Sequence, residues 1–121
     1  GVLMRMGNRK IVMVAILLLL LSAGQTFAHP PSRVNMSYDS DGSVLEVTVS
    51  HPVSDPSSHY IEKFEVRLDG EKFCELELER QISNSDAMAL FKLPPLNAGT
   101  EIEVEVYCSK FGERTARITV E

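Results

Sequence analysis

From residue 34 onward, apolar and polar side chains alternate along this chain. Leu45, Val47 and Val49 alternate with Glu46, Thr48 and Ser50, and Phe64, Val66 and Leu68 alternate with Glu65 and Arg67. The same period of two runs through Cys74, Leu76 and Leu78, through Ile102, Val104 and Val106, and through Ala116, Ile118 and Val120. Each run predicts a strand with one buried and one wet face, the habit of antiparallel sheets. Asp69-Gly70 sits between two runs as a hairpin signal, and Asp41-Gly42 joins residues 34–38 to the strand that begins at Val44. Pro94-Pro95 and Asn97-Ala98-Gly99 break the chain before the next strand. With residues 88–93 the pattern predicts seven strands and no helix. An all-β, seven-stranded antiparallel sandwich or barrel of immunoglobulin-like build satisfies it.

The first 28 residues do not share this pattern. Arg5, Arg9 and Lys10 precede an unbroken apolar run over residues 11–21, followed by Thr26-Phe27-Ala28. A basic segment, a short apolar run and small residues before a cut describe a secretory signal peptide. The run is shorter than the roughly 20 apolar residues of a membrane span, and the rival reading is an uncleaved anchor. The expected organisation is a leader over residues 1–28 and a single domain over residues 29–121, exported to the periplasm or beyond. Cleavage after Ala28 makes His29 the first mature residue; a cut after Gly24 is the alternative. The Gly-Val-Leu that precedes Met4 has the look of a mis-assigned start.

Charge narrows the function further. Residues 29–121 carry 9 basic and 17 acidic side chains, a net of -8. Such a surface repels phosphate backbones, which excludes a nucleic-acid-binding role. The length of 121 residues leaves no room for a second, cofactor-binding domain. Glu75, Glu77, Glu79, Glu101, Glu103 and Glu105 fall on outward positions, where they read as wet faces that oppose edge-to-edge aggregation.

The chemistry-bearing residues are few: three histidines and two cysteines. His51 continues the inward phase of Leu45, Val47 and Val49, and Cys108 that of Ile102, Val104 and Val106, each at a strand end. His59 follows the loop Pro52-Val53-Ser54-Asp55-Pro56-Ser57-Ser58. Two imidazoles around a proline-stiffened loop and a thiol on a strand terminus can meet at one rim. Those donors suit iron, copper or zinc rather than magnesium or calcium. Two bland readings stand beside this one. The histidines can serve as hydrogen-bonders of the loop, and Cys74, also inward, can pair with Cys108 in a disulfide, as exported domains often do.

The segments His51-Pro52-Val53, His59-Tyr60-Ile61-Glu62, Asp69-Gly70-Glu71-Lys72 and Tyr107-Cys108-Ser109-Lys110-Phe111-Gly112 follow one another in the order of a known pattern. With His29-Pro30-Pro31 upstream, the chain resembles the desulfoferrodoxin family, whose iron domain is also called neelaredoxin or superoxide reductase. The resemblance spans nearly all of residues 29–121 and implies a seven-stranded immunoglobulin-like barrel. In that family four histidines and a cysteine hold a mononuclear ferrous ion, and superoxide is reduced to peroxide at the open position with electrons from a separate donor. By resemblance His29, His51, His59 and Cys108 occupy four of the five ligand positions. Two departures stand out: Phe111 replaces the last histidine, and Ala28 replaces the lysine that precedes the first. The loop between His51 and His59 is also longer than the family's. Loss of a ligand and of an anion-attracting charge implies weakened superoxide reduction. The alternatives are a non-catalytic module binding copper, which favours tetragonal nitrogen sets and would gain the α-amino group of a mature His29, or a metal-free redox-partner sandwich.

Overall fold

The computed structural model of the protein describes residues 29–121; the expected leader and the segment over residues 11–21 lie outside the described residues. Seven strands follow in order: β1 (Arg33–Asp39), β2 (Val44–Ser50), β3 (Ile61–Leu68), β4 (Glu71–Glu77), β5 (Asp86–Lys92), β6 (Glu101–Cys108) and β7 (Glu113–Thr119). They form two sheets, a three-stranded β1-β2-β5 and a four-stranded β4-β3-β6-β7, with every pairing antiparallel. β1 lies against β7, so the two sheets approach each other along that side. The all-β sandwich expected from the alternation is the fold observed.

The inward halves of the alternating runs form one core. Leu45, Val47 and Val49 of β2 and Ala87, Ala89 and Phe91 of β5 face Phe64 and Val66 of β3 and Ile102, Val104 and Val106 of β6. Phe64 and Phe91 join the sheets with ring centroids 6.3 Å apart. The β3–β4 turn has positive φ at both central residues, Asp69 (48°) and Gly70 (84°). That is the twist a two-residue hairpin needs, and the reason Asp-Gly marks it. At the β1–β2 loop the left-handed residue is Ser43 (φ 54°), not Gly42, because Asp39 pairs with Val44 and leaves four residues in the loop.

Two features depart from simple alternation. A register shift between Ile61 and Lys63 on β3 turns Ile61 inward although it is three residues before Phe64; both are fully buried. Such a bulge re-aims the strand end that follows the histidine loop. The outer face of the larger sheet is also more than a wet surface. Glu65 is only 6% exposed, bonded to Arg67 and reached by Lys72 and the Tyr107 hydroxyl. Glu103 is bridged by Arg117 at 2.9 Å.

Phe64 is the largest fully buried side chain of the core. Phe64→Ala is expected to destabilise the domain by about 3–5 kcal/mol, read as a lowered denaturation midpoint with an unchanged slope in urea.

Candidate metal centre

The antiparallel order brings seven strand ends to one rim: the starts of β1, β3, β5 and β7 and the ends of β2, β4 and β6. His29 lies on the arm before β1, His51 follows β2, His59 precedes β3 and Cys108 ends β6. Three of these meet as a group. One ring nitrogen from each of His29, His51 and His59 lies within 4.8 Å of the other two, and the ring centroids are 4.9 to 5.3 Å apart. Cys108 joins through His59, whose Nε2 is 3.1 Å from Sγ. β3 and β6 are neighbours with Ile61 opposite Cys108, and the ladder runs on through Ser109 N–H to the Tyr60 carbonyl at 2.8 Å. The histidine before β3 therefore arrives beside the thiol that closes β6.

The cysteines are both free, and the disulfide alternative fails on distance. Cys74 lies opposite Val66 and Cys108 opposite Ile61 on the same strand. Five residues of strand separate the two rows by roughly 16 Å, well beyond the roughly 7 Å that a disulfide tolerates between Cα atoms. The loop-hydrogen-bonder reading of the histidines holds only indirectly, through the His51 ring and Gln81, which bonds the Pro56 carbonyl. The loop is held by its own groups: Asp55 accepts from Ser57 N–H at 2.9 Å, its carbonyl accepts from His59 N–H at 3.0 Å, and Val53 N–H bonds the Asn84 carbonyl at 2.7 Å. Neither the His51 nor the His59 side chain takes part directly.

His51 shows what the rim is arranged for. It is fully buried, and its Nδ1 lies 2.9 Å from Gln81 Oε1. That oxygen also accepts the Ile61 backbone N–H at 3.1 Å, while Gln81 Nε2 donates to the carbonyls of His51 and Ser83 at 2.9 and 3.1 Å. A backbone N–H can only donate and a carbonyl can only accept, so the amide has one orientation. Nδ1 of His51 must then carry the proton, and Nε2 presents a bare lone pair. This buried atom has no hydrogen-bond partner. His29 is set the same way, Nδ1 donating to the Pro30 carbonyl at 3.2 Å. An unpartnered buried acceptor costs about 1–3 kcal/mol; a metal ion satisfies it.

The other donors fit an ion too. Nitrogen and sulfur ligands at roughly 2.0–2.3 Å from one metal stand about 3–4 Å from each other, which accommodates the 3.1 Å between His59 and Cys108. Backbone N–H of Lys110 points at Sγ from 3.4 Å, a contact of the type that tunes metal-bound sulfur. Phe111 is 61% exposed and supplies no donor, so the set is three imidazoles and one thiol. Burial, opposed by the Gln81 bond, holds His51 below the ordinary imidazole range. Burial and the neighbouring His51, His29 and Lys110 do the same for His59. Both are neutral and ready to ligate at pH 7.

The structure brings together His29, His51 and His59, with Cys108 beside His59; patterning singled out His51, His59 and Cys108, the resemblance added His29, and both passed over Gln81. It lies in the polar segment Glu79-Arg80-Gln81 after β4, where nothing marks a residue 2% exposed. Its backbone N–H bonds the Pro56 carbonyl at 2.9 Å, so the histidine loop itself seats it.

No protein-family model matches the chain, and no curated protein matches it. Among solved structures it is similar to superoxide reductase (neelaredoxin) from Ignicoccus hospitalis, with 17% identity over 75% of this chain and 80% of that one and a TM-score of 0.50. Superoxide reductase from Nanoarchaeum equitans aligns over 76% of this chain and 92% of that one, with 17% identity and a TM-score of 0.42. The first of these shows that the chain has a superoxide-reductase-like fold.

Two outcomes follow from the rim. Gln81→Leu should weaken metal binding about 10–100-fold in competition with a chromophoric chelator, because His51 loses the bond that fixes its tautomer. The metal-free chain should lose stability as the pH falls from about 7.5 to about 5.5. The unfolded histidines take up protons near 6.5, whereas His51 and His59 resist them when folded. Urea midpoints at both pH values check this, and His51→Gln should flatten the dependence.

Proposed function

We propose that the protein is an exported mononuclear metal protein of the superoxide reductase type, with His29, His51, His59 and Cys108 as ligands and ferrous iron as the metal. The observation that carries this reading is the buried, unpartnered Nε2 of His51 within a group of three imidazoles, with a free thiol 3.1 Å from His59. A neutral imidazole and thiolate set suits a redox-active first-row metal. Iron held there would supply the one-electron chemistry, alternating between its ferrous and ferric states. Superoxide, one electron and two protons give hydrogen peroxide, and the electron must come from a separate donor.

The chain's own residues define the rest. His51 is anchored on the buried side by Gln81 and His29 lies on the exposed side, so a small anion reaches the rim from the His29 side. Lys110 lies on the loop after Cys108, close enough for its charge to act on His59, and provides local attraction within a domain of net charge -8. Water at the exposed rim supplies protons. Four donors rather than five hold the ion less tightly, and turnover slower than in five-ligand relatives follows.

Protein purified without a tag under anaerobic conditions should contain one iron per chain and convert superoxide to peroxide without releasing oxygen. The double variant His51→Ala, His59→Ala should lose the metal while its far-ultraviolet circular dichroism is retained. Full iron occupancy in that variant places the metal elsewhere. Stoichiometric copper in place of iron makes this a copper-binding module.

A further inference from the structure

His29 and Pro30 are exposed, yet the arm is fastened at three successive residues. Pro30 lies against Gly112: a Cβ built on that glycine would stand 2.7 Å from Pro30 Cβ and 3.1 Å from its Cα. Pro31, fully buried, gives its carbonyl to Arg114 Nε at 2.8 Å. Ser32 N–H bonds the Ser50 carbonyl at 2.9 Å, next to His51. Gly112 and Arg114 both belong to the segment that returns from Cys108 into β7. Cys108 N–H bonds the Gly112 carbonyl at 3.0 Å, closing a hairpin loop over Ser109, Lys110 and Phe111. Gly112 takes the left-handed conformation there (φ 86°), which glycine adopts without the steric cost a side chain would bring. One turn thus aims the thiol inward and leaves a side-chain-free surface for the arm.

We propose that Gly112 and Arg114 act as a clamp that seats the His29 arm, and that they are positioning residues through which the Cys108 loop delivers the third imidazole to the metal. This rests on the metal-centre reading given above. Any side chain at position 112 displaces Pro30 because the contact is with ring and backbone atoms, which cannot swing aside. Loss of the Arg114 bond frees Pro31 and lets His29 leave the group, while His51, His59 and Cys108 keep their own supports.

Cobalt(II) titration of the full chain tests the clamp, since the visible absorption of cobalt reports the donor set. Gly112→Ala and Arg114→Gln are each compared in the wild-type and His29→Ala backgrounds. With His29 present, each substitution should weaken cobalt binding about tenfold or more, in the range for residues that orient ligands. The visible spectrum should also change toward that of His29→Ala. In the His29→Ala background neither substitution should weaken binding further. Arg114→Lys, which retains a donor, should recover part of the loss. Equal losses in both backgrounds overturn the clamp, because backbone strain at position 112 or damage to the Cys108 loop acts with or without His29. If the wild-type chain takes up no cobalt, the metal reading falls, and the clamp is then judged on the metal-free chain. The His29 ring signals in nitrogen-detected magnetic resonance should move to those of a free imidazole in both variants, with His59 unmoved. Unmoved His29 signals overturn it.

Discussion

Gln81 is the constraint on which the rim depends. Its amide makes four hydrogen bonds, to the His51 ring, the His51 carbonyl, Ile61 N–H and the Ser83 carbonyl. These tie the end of β2 to the start of β3 across the gap between the two sheets. The same bonds fix which nitrogen of His51 carries the proton and leave a bare lone pair in a buried place. A fully satisfied amide therefore creates one unsatisfied atom, and the fold tolerates it because that atom faces two further imidazoles. A polar network this deep is costly to disturb.

Strand order does the remaining work. In an antiparallel sandwich every second connection lies at the same end, so residues far apart in the chain become neighbours without any local motif. His29, His51, His59 and Cys108 span 80 residues of sequence. The bulge at Ile61 and the hairpin at Gly112 then adjust the last few ångströms. Each is a local departure from regular geometry placed beside the site, as bulges and left-handed turns often are.

Charge is distributed with the same economy. The outer face of the four-stranded sheet binds its glutamates into pairs with Lys63, Arg67, Lys72 and Arg117. These half-exposed contacts contribute little stability individually. Their consequence is that Glu65, Glu75 and Glu103 are paired away from the rim, where the Lys110 charge reaches His59. The exposed Phe111 side chain stands next to that lysine and supplies no donor atom on that side.

Sequence alone determined the fold class and the strand phases, and it put His51 and Cys108 at inward strand ends. Period-two alternation dictates which side chains are buried, and a histidine or cysteine that extends an inward phase must end up at a rim of the core. Three things were decided only by tertiary structure. Gln81 stands in a polar segment with no periodicity, and only the packing of the His51–His59 loop buries it. Ile61 is out of phase with Phe64, and only the β3–β6 register reveals the bulge that turns both inward. The disulfide and the metal site were equally open on paper, because alternation gives the facing of Cys74 and Cys108 but not their separation along the sheet. Facing is a local property of each strand; distance is a property of how strands pair, and pairing is written in contacts between residues that the sequence keeps apart.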